Sequence, residues 1–129
     1  MTPAETAVAY ITSFAAGEPE RVAAWVTDDF VNGHASALGS GCTGIDEYRR
    51  RLPGFLASMP GLRYDVEQVI ADGDWVSISY RMHATSQDHP IDIAGVMVIE
   101  TRDTPAGRKV CRRTDYWDAL TYLRQTGQA

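Results

Sequence analysis

The chain is predicted to fold as an α+β domain, a curved antiparallel sheet wrapped around a long helix with further helices at both ends. Three observations lead there. Apolar residues recur at helical spacing as far as Met59, alternation of apolar and polar residues takes over from Leu62, and turn clusters then separate strand-length runs. Helices segregated from an antiparallel sheet are the mark of this class.

The elements follow in order. "TPAE" is a helix start, with Thr2 able to cap, Pro3 suited to the first helical position and Glu5 able to close a capping box. Val8, Ile11 and Phe14 continue that helix until Gly17 ends it. Residues 18–26, "EPERVAAWV", give a short second helix with Val22, Trp25 and Val26 on one side. The stretch 27–44 is rich in Asp, Gly and Ser and reads as a connection holding at most a short strand at Phe30–Val31. A third helix fits residues 45–59, where Ile45, Tyr48, Leu52, Phe55, Leu56 and Met59 form a stripe. Pro53-Gly54 should kink or split it, and Pro60-Gly61 should stop it.

After that the period is 2. Leu62, Tyr64 and Val66 alternate with Arg63, Asp65 and Glu67, and "ADGD" forms a hairpin turn. Runs 75–85, 91–101 and 109–117, joined by turns at "QDHP" and "DTPAG", complete a meander. "DALTYLRQ" closes the chain as a short helix, with Asp118 as its N-cap. At 129 residues without repeats or a linker, residues 1–129 form one domain.

Composition narrows the partners. A net charge of −5 argues against nucleic acid and anionic membranes, which need clustered positive charge. The start lacks a charged region followed by an apolar core, and no apolar run approaches the roughly 20 residues that span a bilayer. Cys42 and Cys111 fit no metal or redox spacing, and no His, Cys and carboxylate cluster, phosphate loop or nucleophile elbow is present. The expectation is a cytoplasmic, reduced protein without a metal or cofactor.

The most specific stretch is "RRTDYWDAL" at 112–120, which sets Asp115 inside a strand, where Asp is depleted. "YRMH" at 80–83 and "DDFVNGH" at 28–34 are two further signals. With the element order, these residues resemble the nuclear transport factor two superfamily, and more narrowly its SnoaL-like polyketide cyclases and limonene-epoxide hydrolases. The resemblance covers nearly the whole chain and implies a cone-shaped sheet with an apolar cavity at its open end. It implies that Asp115 looks into the cone as an acid/base group, that Arg81 and His83 line the pocket beside it, and that Asn32 and His34 stand at the mouth. Departures accompany it: His83 stands where the epoxide hydrolases have an Asp, and their water-holding Tyr and Asn would fall near Val31 and Gly33.

Period 2 by itself places Arg113, Asp115 and Trp117 on one strand face. Burial disfavours an ionised carboxyl, which suits a general acid or base. A plainer reading of the same residues is an Asp neutralised by Arg81 or Arg113 that ties strands together. Residues 75–85 also divide two ways. Val76, Ile78, Tyr80 and Met82 form the core, or they lie on the convex face while Arg81 and His83 turn inward.

The run 91–101 is apolar on both faces at its centre, so the sheet needs a cover on each side. That favours the second arrangement, with Tyr80, Met82, Val96 and Val98 in an isologous homodimer interface. The expected activity is acid/base chemistry on a small apolar polyketide- or terpenoid-like molecule, cyclisation or isomerisation first and epoxide opening second. Asp115, Arg81 and His83 are the catalytic candidates. Asn32, His34, Phe55, Ile93, Met97 and Trp117 are the binding candidates. The alternative is a non-catalytic small-molecule-binding or scaffold protein of the same fold.

Overall fold

The computed structural model describes all 129 residues. Helix α1 (Pro3–Ser13) starts with the expected capping box. The Glu5 amide donates to Thr2 Oγ1 at 3.1 Å, and the Thr2 amide donates to Glu5 Oε1 at 2.8 Å. A 3₁₀ turn at Phe14–Ala16 follows and stops at Gly17, whose φ of 68° suits a residue without a Cβ. Helix α2 (Pro19–Ala23) is shorter than expected, because Val26 already begins strand β1 (Val26–His34).

Strand β1 is the main difference from expectation. It has nine residues and lies in parallel beside the last strand, so the sheet is mixed rather than wholly antiparallel. Asp28, Asp29 and Gly33 hide its period. Yet Phe30 and Asn32 alternate inward, which is a strand signature. A two-residue strand β2 (Cys42–Thr43) pairs with β1 at the sheet edge.

Helix α3 (Ile45–Ser58) runs through Pro53 without a break. Pro53 and Gly54 are both exposed, so water can satisfy the carbonyl that loses its donor.

Strands β3 (Arg63–Asp72), β4 (Trp75–Ser86), β5 (His89–Thr104) and β6 (Gly107–Trp117) form the meander, and helix α4 (Ala119–Gln125) ends the chain. As expected, Asp118 caps α4, accepting the Leu120 amide at 2.9 Å. Sheet order is β2-β1-β6-β5-β4-β3, with β6 near the centre between β1 and β5. Helix α1 lies across β3, β4, β5 and β6, while α3 packs on α2, β1 and β2. The concave face is therefore covered by α1 in its middle and bordered by α3.

Register fixes which side chains share that face. Val76, Ile99 and Arg113 stand in one row across β4, β5 and β6; Ile78, Met97 and Asp115 in the next; Tyr80, Gly95 and Trp117 in the third. Most of these are buried, and the aliphatic members join the core with Tyr10, Ile11, Phe14 and Phe30. The first arrangement of β4 is thus the one adopted, and two expectations are corrected. Tyr80 and Met82 face the concave side, and Arg81 and His83 face the convex side. The physical reason is that α1 supplies the apolar cover for the concave face, so the apolar set of β4 follows it. Val96 and Val98, on the other parity of β5, do lie on the convex face, in line with Ser79 and Ser77. No helix is long and apolar enough to cross a membrane.

Candidate active site

At the open end of the cone lies a cavity of about 560 Å³, within the range usual for small-molecule sites. Its walls are mostly apolar and aromatic: Phe14 above, Leu52, Phe55 and Met59 from α3, and Tyr64, Met82, Ile93 and Trp117 from the sheet. Asp115 is its one carboxylate.

Asp115 projects there because β6 alternates and its odd residues take the concave side. Both of its oxygens are held. Arg113 Nη2 donates to Oδ2 at 2.9 Å, and the Tyr80 hydroxyl donates to Oδ1 at 2.5 Å. Arg113 and Asp115 are each about 4% exposed, so the pair is desolvated and its charges are felt strongly. The network continues outward from Arg113. Its Nη1 donates to the Tyr10 hydroxyl at 3.1 Å, and that hydroxyl shares a 2.6 Å hydrogen bond with Tyr48. The guanidinium also lies 5.6 Å from the Phe14 ring centre and 5.9 Å from that of Tyr10, a cation–π placement.

Of the three buried side-chain polar atoms without a partner, Ser36 Oγ, Arg113 Nε and Asn32 Oδ1, the last two belong to the cavity. Both residues line the cavity and stand opposite each other in the β1–β6 ladder. One is a donor and the other an acceptor, and each is left without a protein partner.

Burial pushes the Tyr80 phenol far above its ordinary value, and the neighbouring Asp115 charge adds to this. Tyr48 and Tyr64 are raised chiefly by burial as well. These phenols stay protonated and act as donors at neutral pH. His34 is shifted the other way, chiefly by burial and then by the positive Arg113. Its Nδ1 accepts the Trp117 indole N–H at 3.3 Å. The imidazole is therefore neutral with its proton on Nε2, assigned from that bond.

Of the residues expected from the sequence, Asp115, Asn32, His34, Phe55, Ile93 and Trp117 meet at this cavity. Met97 does not line it. It is fully buried in the core, in the row of Asp115. Arg81 and His83 are not brought to Asp115 at all. Arg81 pairs with Asp92 at 2.9 Å, and His83 Nε2 lies 3.1 Å from Asp65, both on the opposite face. The expected convergence of the three is corrected by parity alone. Residues the sequence reading missed are Tyr80 and Tyr10, neither of which it placed at the site. Gly95, a glycine in mid-strand beside Tyr80, was the available signal.

A curved sheet closed by helices over an apolar cavity, with a hydrogen-bonded aspartate in its floor, defines a protein of the nuclear transport factor two-like class. Within that class the chain belongs to the SnoaL-like domain family, whose pattern it matches over residues 7–109. Several solved structures share the fold. One is a protein of ketosteroid isomerase-like fold from Catenulispora acidiphila in complex with trimethylamine. It is 19% identical, covers 100% of this chain and 96% of that one, and has a TM-score of 0.79. An LEH-like epoxide hydrolase of M. tuberculosis is 16% identical over 98% of this chain and 90% of its own, with a TM-score of 0.79. TerC, co-crystallised with polyporic acid, is 19% identical over 98% and 99%, with a TM-score of 0.80. At these identities the likeness is one of fold. No curated protein matches the chain by sequence.

Proposed function

We propose that the protein is a small-molecule enzyme that moves a proton on an apolar carbonyl compound, with Asp115 as the acid/base group. The carrying observation is the placement of Asp115 as the single carboxylate in a mostly apolar cavity. Arg113 and Tyr80 fix its two oxygens, and each oxygen keeps a further lone pair for a substrate proton. An unprotonated carboxylate is the form that accepts a proton from carbon. The apolar walls exclude water and bind the substrate's carbon skeleton. Neutral His34 can donate from Nε2 at the mouth, and Asn32 Oδ1 can accept a substrate hydroxyl. Cyclisation and isomerisation both begin with such a proton transfer. Epoxide opening ranks second.

A second reading is a binding protein without catalysis. The 2.9 Å Arg113–Asp115 ion pair favours it, because it already gives the carboxylate a structural partner.

The test uses 2-tetralone, a compact apolar ketone, in D₂O. The wild-type protein should speed deuterium entry beside the carbonyl, and Asp115→Asn should fold normally and lose roughly 10²–10⁴ of that rate. Equal rates for the two proteins would leave the binding reading in possession.

We further propose that two copies associate through the convex face around Val96, Val98 and Tyr116, the last 48% exposed. Sedimentation as a monomer at micromolar concentration would remove that proposal.

A further inference from the structure

The rim of the cavity differs from its floor in charge. At the floor one arginine meets one aspartate, Arg113 and Asp115, at 2.9 Å. Apart from that pair, the lining holds one charged residue, Arg51 of α3, whose side chain is 43% exposed at the mouth. Glu47 Oε1 accepts from Arg51 Nε at 3.0 Å. The same carboxylate also accepts from Arg50 Nε at 2.9 Å. Hydrogen bonds from Arg50 and then Arg51 hold the Glu47 carboxyl below its ordinary range, so it is ionised at neutral pH. One negative charge thus serves two arginines.

Donor counting sharpens the point. A guanidinium has five N–H groups. Arg51 commits the one on Nε to Glu47, and Nη1 donates to the Gly41 carbonyl at 2.8 Å and to Ser40 Oγ at 3.2 Å. Nη2, with two N–H groups, has no partner in the protein. The chain around Ser40 is built to make these contacts. A Cβ at Gly39 would sit 2.3 Å from His34 Cβ, and one at Gly41 would sit 2.5 Å from the Asn32 carbonyl oxygen. Only bare backbone can lie so close to β1, and lying there brings Ser40 and the Gly41 carbonyl across the mouth to α3. The guanidinium is therefore fixed in place before any ligand arrives.

We propose that Arg51 is a specificity residue of this cavity, and that the ligand is an apolar molecule with a carboxylate at the end facing the mouth. The inference rests on the cavity as the ligand site and not on proton transfer by Asp115. A carboxylate cannot sit at the floor, where Asp115 would repel it. At the rim it meets the surplus positive charge and the two free N–H groups of Nη2. One surplus charge matches a monoanion, and the open mouth lets the carboxylate keep part of its water, which limits the cost of binding it. The apolar body then lies between Phe55, Met59, Met82 and Ile93, with its other end toward Asp115. Joined to the proposed reaction, this narrows the substrate to an apolar keto acid whose carbonyl and carboxylate stand at opposite ends.

The experiment measures binding of 2-naphthylacetate and of its neutral counterpart, 2-naphthylacetamide, by isothermal titration calorimetry at low salt. Wild type, Arg51→Gln, Glu47→Gln and Asp115→Asn are compared. The wild type should prefer the acid by about tenfold, and added salt should shrink that preference. Arg51→Gln should bring the ratio close to one while leaving the amide's affinity nearly unchanged. Glu47→Gln should raise the ratio roughly two- to fivefold, by removing the rim's one offsetting charge. Asp115→Asn should keep the preference. If Arg51 only tied the chain at Ser40 to α3, Arg51→Gln would weaken both ligands alike, and that result overturns the inference. So does a preference that survives in Arg51→Gln, one that falls in Glu47→Gln, or a wild type that binds neither ligand. Acid and amide bound equally by a wild type that still exchanges 2-tetralone overturns this inference and leaves the Asp115 reading standing. A tenfold preference in a wild type that exchanges nothing upholds the Arg51 site and overturns the Asp115 reading.

Discussion

The two faces of the sheet carry the same residue types and put them to different uses. On the concave face Arg113 and Asp115 form a pair about 4% exposed, held by Tyr80 and Tyr10 and set in an apolar cavity. On the convex face Arg81 and Asp92 form a pair of the same length, with side chains 43% and 50% exposed. Both pairs are 2.9 Å contacts between an arginine and an aspartate. Surroundings decide what each can do. Water screens the outer pair, so its strength is small and its charges are spent on solvation. The inner pair has lost its water, so each charge depends on its partner and on the hydrogen bonds around it.

The largest expected effect is on the inner pair. Arg113→Ala leaves a buried carboxylate with only Tyr80 as donor and should cost about 3–5 kcal/mol of stability, measured by urea unfolding. A loss as mild as that of a surface substitution would break the contrast between the faces. Next, Tyr48→Phe removes the far end of the Arg113–Tyr10–Tyr48 chain while keeping the ring. About 1 kcal/mol should be lost, and the unfolding midpoint reads it.

A smaller effect is expected with pH. His34 is held neutral in the folded protein by burial and by Arg113, below its ordinary value of 6.5. As the pH falls through that ordinary value, the unfolded chain takes up a proton that folded His34 still refuses. Stability is therefore lost on acidification and levels off below the folded-state value. His34→Asn should flatten that part of the stability profile between about pH 7 and the folded-state value, and an unchanged profile would place the titration elsewhere.

The same contrast explains how much could be read from the sequence. Period 2 is robust, so Arg113, Asp115 and Trp117 were correctly grouped on one face. The capping box at Thr2, the stop at Gly17 and the Asp118 cap were legible because each is local chemistry. What period cannot give is which of two faces is inside. Strand β4 has a polar and an apolar face, and the apolar centre of β5 on both sides removed the usual clue. The inward side was set by α1, a partner about 70 residues away in sequence. Strand β1 was underestimated for another reason. Its acids and Gly33 argue for a loop, and only pairing with β6, distant in the chain, makes it a strand. Tyr80 was missed because its reach to Asp115 depends on a vacancy, the missing side chain of Gly95, in a different strand.

The smallest expected effect bears most directly on that error. If Arg81 and His83 sat beside Asp115, removing either would damage a buried charge network and the exchange reaction together. On the convex face neither should happen. Arg81→Ala should leave the thermal midpoint unchanged within error, and the double variant with Asp92→Ala should show no coupling at ordinary salt, since exposed pairs are screened. His83→Ala should likewise leave 2-tetralone exchange at the wild-type rate, because Asp65 is its partner and Asp115 lies through the sheet. These variants make the control that Arg113→Ala lacks: the same chemistry is deleted, on the same sheet, with only burial changed. A loss of exchange in Arg81→Ala or His83→Ala, in a protein that remains folded, would mean that the inward face of β4 had been misassigned and that Tyr80 had no claim on Asp115.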